Sequence, residues 1–278
     1  MTKFGSHKIL KGKEFILCLF FAFNLGPPST LYAQSEYFHF GEDLEYTITY
    51  NWGFIWVDAG QVNFRVTETQ AFNQPAIKFT GDGNTFSKYD WFYKVRDHYE
   101  SITEPGTFKP YTFVRNVAEG NTKINNAYVF NQQKNLAYSS IMQEDGTFIK
   151  DTIEVGEKTY DVISMIYLAR KIPFEEYNKD DKIPISLILD NAVYDTYIRY
   201  LGKELVAIKG LKPIESYKFR PNLIDGTIFT GGEGMTVWVS ADKNRVPLVV
   251  ETPIVVGDIK AILTKTTNTL DKINYFDD

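Results

Sequence analysis

The sequence predicts an all-β, mainly antiparallel fold: a barrel-like or strongly curved meander sheet with one conspicuous α-helix. Three observations carry that prediction. Apolar and polar residues alternate with period two over most of the chain, as in Leu44, Tyr46, Ile48 and Tyr50 against Glu45, Thr47 and Thr49. The alternating runs are joined by short turn signals such as Glu104-Pro105-Gly106-Thr107, whose Pro and Gly suit the two central positions of a type II turn. Only Asp161 to Lys171 has a helical rhythm, with Val162, Met165, Ile166 and Ala169 on one stripe.

Ahead of the first strand, Lys3, Lys8, Lys11 and Lys13 precede the apolar run Phe15 to Leu25, and Leu31-Tyr32-Ala33 offers a small-residue cleavage site. Residues 1–33 therefore read as a cleaved signal peptide, too short in its apolar core for the roughly 20 residues a membrane span needs. That places the remainder, 34–278, outside the cytoplasm as a single domain, periplasmic or associated with the outer membrane, or extracellular. Cys18, the single cysteine, falls inside the leader, so the exported part has no disulfide, thiol nucleophile or thiolate metal site.

The chain carries a net charge of −5, and the leader takes four lysines and one glutamate with it. With no basic block left, nucleic acid is disfavoured as a partner. The composition, 44% hydrophobic and 15% aromatic, is ample for a core.

From Phe40 the first strand runs to a turn at Asn51-Trp52-Gly53, and a second carries Trp56, Gly60, Val62, Phe64 and Val66 on one parity. Gly60 there suggests a bulge or a close approach. Ala76 to Thr80 reads as a short strand ending in the turn-like Gly81-Asp82-Gly83-Asn84, and Trp91 to Thr103 as the longest strand, pairing across the type II turn with Pro110 to Gly120. A meander follows to Val155. Asp161 caps the helix, Arg170 and Lys171 suit its negative end, and Pro173 stops it. Beyond it, Asp190-Asn191 and Gly202-Lys203 read as hairpin turns. The glycine-rich Pro221 to Gly234 reads as a mobile loop, and Met235 to Thr267 as a closing antiparallel set.

In this order, FGEDLEYTITYNWGFIWVDAGQVNFRV, VRDHYESITEPGTFKPYTFVRNVAEG, DVISMIYLAR and WVSADKNRVPLVVETPIVVGDIKAIL resemble the bacterial domain-of-unknown-function family 3108. The resemblance spans about residues 36 to 267. It implies export to the cell envelope and a β-rich, barrel-like domain with one helix, and it supplies no catalytic residues or cofactor.

The chemistry worth following lies on the pair of long strands. Tyr93, Val95, Asp97 and Tyr99 share one face, as do Tyr111, Phe113, Arg115 and Val117, so an acid and a base each fall among apolar neighbours. They are expected to meet as a hydrogen-bonded ion pair, bracing the interior or anchoring a ligand. Trp52, Trp56, Trp91 and Tyr93 are the candidates for an aromatic mouth, their flat faces suited to sugar rings, lipid tails or a protein partner. His98 falls on the opposite, solvent side. No zinc-binding array, nucleophile motif or phosphate loop is present, so neither metal nor cofactor is expected, and acidic doublets such as Glu42-Asp43 read as turn and loop acids.

These readings point to a non-enzymatic binding module for a lipid, glycan or other amphipathic molecule, or for an envelope partner. Two rivals stay open: a carboxylate-dependent hydrolase of envelope glycans, and a structural or assembly protein.

Overall fold

A computed structural model of the chain describes residues 35–52, 55–224, 231–253 and 257–271; the segment read as a leader lies outside them. Fifteen strands among these residues form one sheet. The first half is a run of hairpins: β1 (Asp43–Trp52), β2 (Ile55–Ala71), β3 (Gln74–Thr85), β4 (Arg96–Thr103), β5 (Pro110–Glu119), β6 (Thr122–Asn131), β7 (Leu136–Met142) and β8 (Phe148–Glu154). Then come β9 (Thr159–Tyr160), the helix α1 (Val162–Ala169), and a second run of β10 (Lys182–Leu189), β11 (Ala192–Val206), β12 (Ile214–Pro221), β13 (Thr236–Ser240), β14 (Pro247–Pro253) and β15 (Asp258–Thr267).

The last strand pairs with the first, so the spatial order is β8-β7-β6-β5-β4-β3-β2-β1-β15-β14-β13-β12-β11-β10-β9. All pairs are antiparallel except β9 with β10. Among the described residues no backbone ladder joins β8 to β9, so the sheet is rolled without being closed. The seam is bridged by side chains: Arg115 on β5 and Asn126 on β6 reach Asp190, in the β10–β11 turn.

The helix occupies one end of the roll. Asp161 accepts from the backbone N–H groups of Ile163 and Ser164, and Ser164 Oγ accepts from the Asp161 N–H, which completes a capping box. Ser101 Oγ on β4 also donates to the Asp161 carboxylate at 2.6 Å. Tyr167 then stacks on Phe79 at 4.0 Å between centroids, and Phe38 and Phe108 close around them edge-on or tilted. This cluster fills the helix end. A second lies under β1, β14 and β15, and a third around Phe174 beneath β10 to β13.

Several local expectations are corrected. Gly81 to Asn84 belongs to β3 and is not a turn. A side chain at Gly81 would come within 3.1 Å of both Ile163 on the helix and Phe64 on β2, so the glycine admits neighbours and does not reverse the chain. The strand expected from Trp91 starts only at Arg96. Upstream, Asp90 is held by Thr85 at 2.9 Å and Arg96 at 2.7 Å, and a 3-10 turn at Ser87–Tyr89 takes up the chain. Gly202, at φ +102, is a bulge inside the continuous β11, where the register against β12 shifts.

Gly60 behaves as its sequence setting suggested. It sits at a register shift between β1 and β2, and a Cβ there would fall 2.5 Å from the Asn84 carbonyl oxygen.

Arg170 and Glu42 depart furthest from expectation. Arg170 does cap the helix end, but as a buried group, and Glu42 is not a solvated loop acid. Both are buried, bonded to each other at 2.6 and 3.0 Å, and Arg170 also donates to the Asn244 and Tyr37 carbonyls. Phe38 and Tyr167 flank the guanidinium.

Candidate functional site

The end opposite the helix gathers the groups that no packing argument explains. Alternation on β4 and β5 sends Asp97, Tyr99, Phe113, Arg115, Val117 and Glu119 to the interior and His98 and Asn116 to the outside, because consecutive strand residues face opposite ways. Asp97 and Arg115 thus share the inner face, as their sequence setting predicts. They do not form the expected pair. Arg115 donates to Asp190 at 3.1 Å, and Asp97 accepts from the Ala118 N–H at 3.1 Å and is hydrogen-bonded to the Glu119 carboxyl. The reason lies in register: Arg115 stands opposite Tyr99, two residues along β4 from Asp97.

Asp97 and Glu119 are two half-buried acids in contact. Burial and the neighbouring Asp97 charge push the Glu119 carboxyl up to about 7, against the pull of Arg115. Burial raises Asp97 as well, while the Ala118 N–H and Glu119 bonds hold it down. One shared proton between the two relieves like-charge repulsion in a poorly solvated place.

Below this pair the polar set deepens. Asn126 Nδ2 donates to the same Asp190 oxygen as Arg115, at 3.1 Å, and the Asn191 N–H donates to the Tyr128 hydroxyl at 3.2 Å. Asp190 and Asn191 form a two-residue turn with both residues at positive φ, 47 and 62, where Asp and Asn are tolerated. Arg115 Nε, Asn126 Oδ1 and Asn191 Oδ1 are buried without a protein partner. Burial pushes the Tyr99 hydroxyl up to about 12, so it stays a neutral donor.

On the outer face Asn63, Asp82, His98, Asn116 and Asn125 stand in register across β2 to β6. His98 Nδ1 lies 2.7 Å from Asp82, and Arg65 bridges Asp82 to Asp43. A depression of about 400 Å³ opens at this end of the strands, and its lining includes Asp82, Arg96, His98, Asn116 and Lys123 as well as Asp97.

The aromatic candidates are spread around this end. Trp91 is 83% exposed, Phe92 77% and Tyr93 48%. The Tyr93 ring covers Gly120, where a Cβ would meet it at 3.0 Å, and Asp97 and Glu119 act on its hydroxyl. Trp56 is exposed beneath the Lys260 ammonium at 4.6 Å. The Trp52 side chain lies outside the described residues. In the glycine-rich segment, Glu233 is fixed by Arg199 and by Tyr197 at 2.7 Å; the Arg199 guanidinium holds its carboxyl down at about 2.

Sequence reasoning missed Glu119, Asn126 and Asp190. Glu119 was within reach, two positions beyond Val117 on the face already assigned. Asp190, read only as a turn residue, carries no sequence signal of the partner it meets. Among the described residues no group of three or more His, Cys, Asp or Glu could hold a metal ion.

The family model for a protein of unknown function, DUF3108, matches residues 45–264. The chain belongs to the DUF3108 family. No curated protein matches it. Among solved structures, this DUF3108 chain is similar to a β-barrel-like protein of the domain-of-unknown-function family DUF1849 from Brucella abortus. The two share 7% identity with a TM-score of 0.53, over 84% of this chain and 98% of that one. At that identity the likeness speaks for the fold, a barrel-like β-sheet, and for nothing finer. No helix among the described residues of the DUF3108 chain is long and apolar enough to cross a membrane.

Proposed function

We propose that this chain is an exported envelope protein that binds an amphipathic molecule, without turning it over, at the end of the roll opposite the helix. The observation that carries the reading is the exposure of Trp91 and Phe92 directly ahead of Tyr93 and the Asp97–Glu119 pair. Large aromatic surfaces left in water beside half-buried polar groups suit a ligand with an apolar part and a hydrogen-bonding part. The leader read at residues 1–33 supports export.

The hydrolase alternative needs two carboxyls about 5 to 9.5 Å apart across a cleft. Hydrogen-bonded to each other, Asp97 and Glu119 leave no room for a sugar ring or an attacking water. The assembly alternative draws on the edge strand β8, where Phe148 and Ile149 are exposed. Lys150 and Asp151 interrupt that edge, and charges at such positions discourage strand addition.

The test is native mass spectrometry of the exported protein purified without detergent, beside a Trp91→Ala/Phe92→Ala variant. A co-purifying amphipathic adduct that the double variant loses supports the proposal. Adduct-free protein, or equal occupancy in both, overturns it.

A further inference from the structure

The nook formed by Arg115, Asn126 and the Asp190–Asn191 turn has a specific chemical deficit. Arg115 is 7% exposed and Asn126 2%, yet the Arg115 Nε–H has no acceptor, and Asn126 Oδ1 and Asn191 Oδ1 have no donor. An orphaned buried group destabilises the fold unless something fills the need. Arg115 Nη1 and Asn126 Nδ2 are already committed, both donating to Asp190 Oδ1. The nook therefore offers both a buried donor seeking an acceptor and two buried acceptors seeking donors.

The surrounding charge narrows what can enter. Asp190 pairs with Arg115, and the Asp97–Glu119 pair acts on Tyr99 together with both of them, so carboxylates outnumber the one guanidinium. A phosphate, sulfate or carboxylate would be repelled, and an ammonium would meet Arg115. A hydroxyl accepts one hydrogen bond and donates another, which answers both halves of the deficit. Ile141 and Ile149 follow Arg115 and Asn126 in register toward the edge strand β8, and Ile149 is 52% exposed.

Resting on the binding role proposed above, we infer that this nook is the subsite for a neutral hydroxyl-bearing head group, a sugar or polyol, of the amphipathic ligand. Arg115 donates to it and Asn126 and Asn191 accept from it, while the exposed apolar surfaces take the tail.

The test titrates the exported protein with n-octyl β-glucoside and with n-octyl sulfate, both below micelle formation, following tryptophan fluorescence. The two probes share a tail and differ in the head. Binding of the glucoside at least about tenfold tighter than of the sulfate is expected. Asn191→Gly is the matched variant, because its φ of +62 suits glycine and only the side chain is lost; it should weaken the glucoside by about tenfold and leave the sulfate unchanged. Arg115→Lys, which keeps the charge toward Asp190 and removes the Nε–H, should do the same. Equal affinity for the two heads, or an unaltered Asn191→Gly, overturns the subsite while the binding role stands, and that outcome marks the nook as one filled by water. Failure of both probes to bind overturns both.

Discussion

Glu42 and Arg170 form a two-pronged ion pair, at 2.6 and 3.0 Å, with both side chains withdrawn from water. The pair pins the segment ahead of β1 to the end of the helix, and through the Asn244 carbonyl to the β13–β14 turn. Removing one partner leaves an uncompensated buried charge. Glu42→Ala is expected to cost about 3 to 5 kcal/mol, read from urea unfolding midpoints. Replacing both by apolar residues of similar volume should recover part of that loss, since the residual charge is gone.

Glu119 makes stability depend on pH in an unusual direction. Its carboxyl is raised to about 7 in the fold against 4.5 when free, so between those values the folded protein holds a proton that the unfolded chain has released. The unfolding free energy therefore falls as pH rises from about 4.5 to 7 and is level with respect to this group above that. Asp161, raised by burial to about 6, adds to the fall in the lower part of the window. Glu119→Gln should be more stable than wild type at pH 8, and its stability should change less between pH 6 and 8. Denaturant melts at stepped pH would show it; parallel curves for the two proteins would contradict it.

Asp161 starts the helix and binds Ser101 across to β4. Asp161→Ala removes the cap and strands the Ser101 hydroxyl in the core, an expected loss of about 2 kcal/mol. Asp161→Asn, which retains one acceptor oxygen, should lose less. Thermal unfolding of the two variants ranks them.

Gly60 lies against the backbone of β3 and cannot accept a methyl group without moving the Asn84 carbonyl. Gly60→Ala should cost about 1 to 3 kcal/mol, as overpacking does. Gly146, at φ +81 but with open space around it, is the control: there alanine meets only the strain of left-handed backbone and should cost less. Chemical denaturation of both variants settles the order.

The strands, most of their turns and the single helix were legible because a period of two or 3.6 is a local property, set by which way each side chain leaves the backbone. Alternation likewise put Asp97 and Arg115 on the inside and His98 on the outside. Glycine was ambiguous: Gly81 and Gly202 read as turns, yet one admits the helix and the other bulges a strand. A missing side chain looks the same in sequence whether it permits a reversal or a close approach. The sequence by itself determined the alternation of faces and hence the rolled β-sheet. Tertiary structure alone decided that Arg170 meets Glu42, that Arg115 meets Asp190 instead of Asp97, and that Glu119 leans on Asp97. Partners in these sets lie up to 128 residues apart, and which charge faces which is fixed by strand register and by how far the sheet curls, neither of which is written in any local pattern.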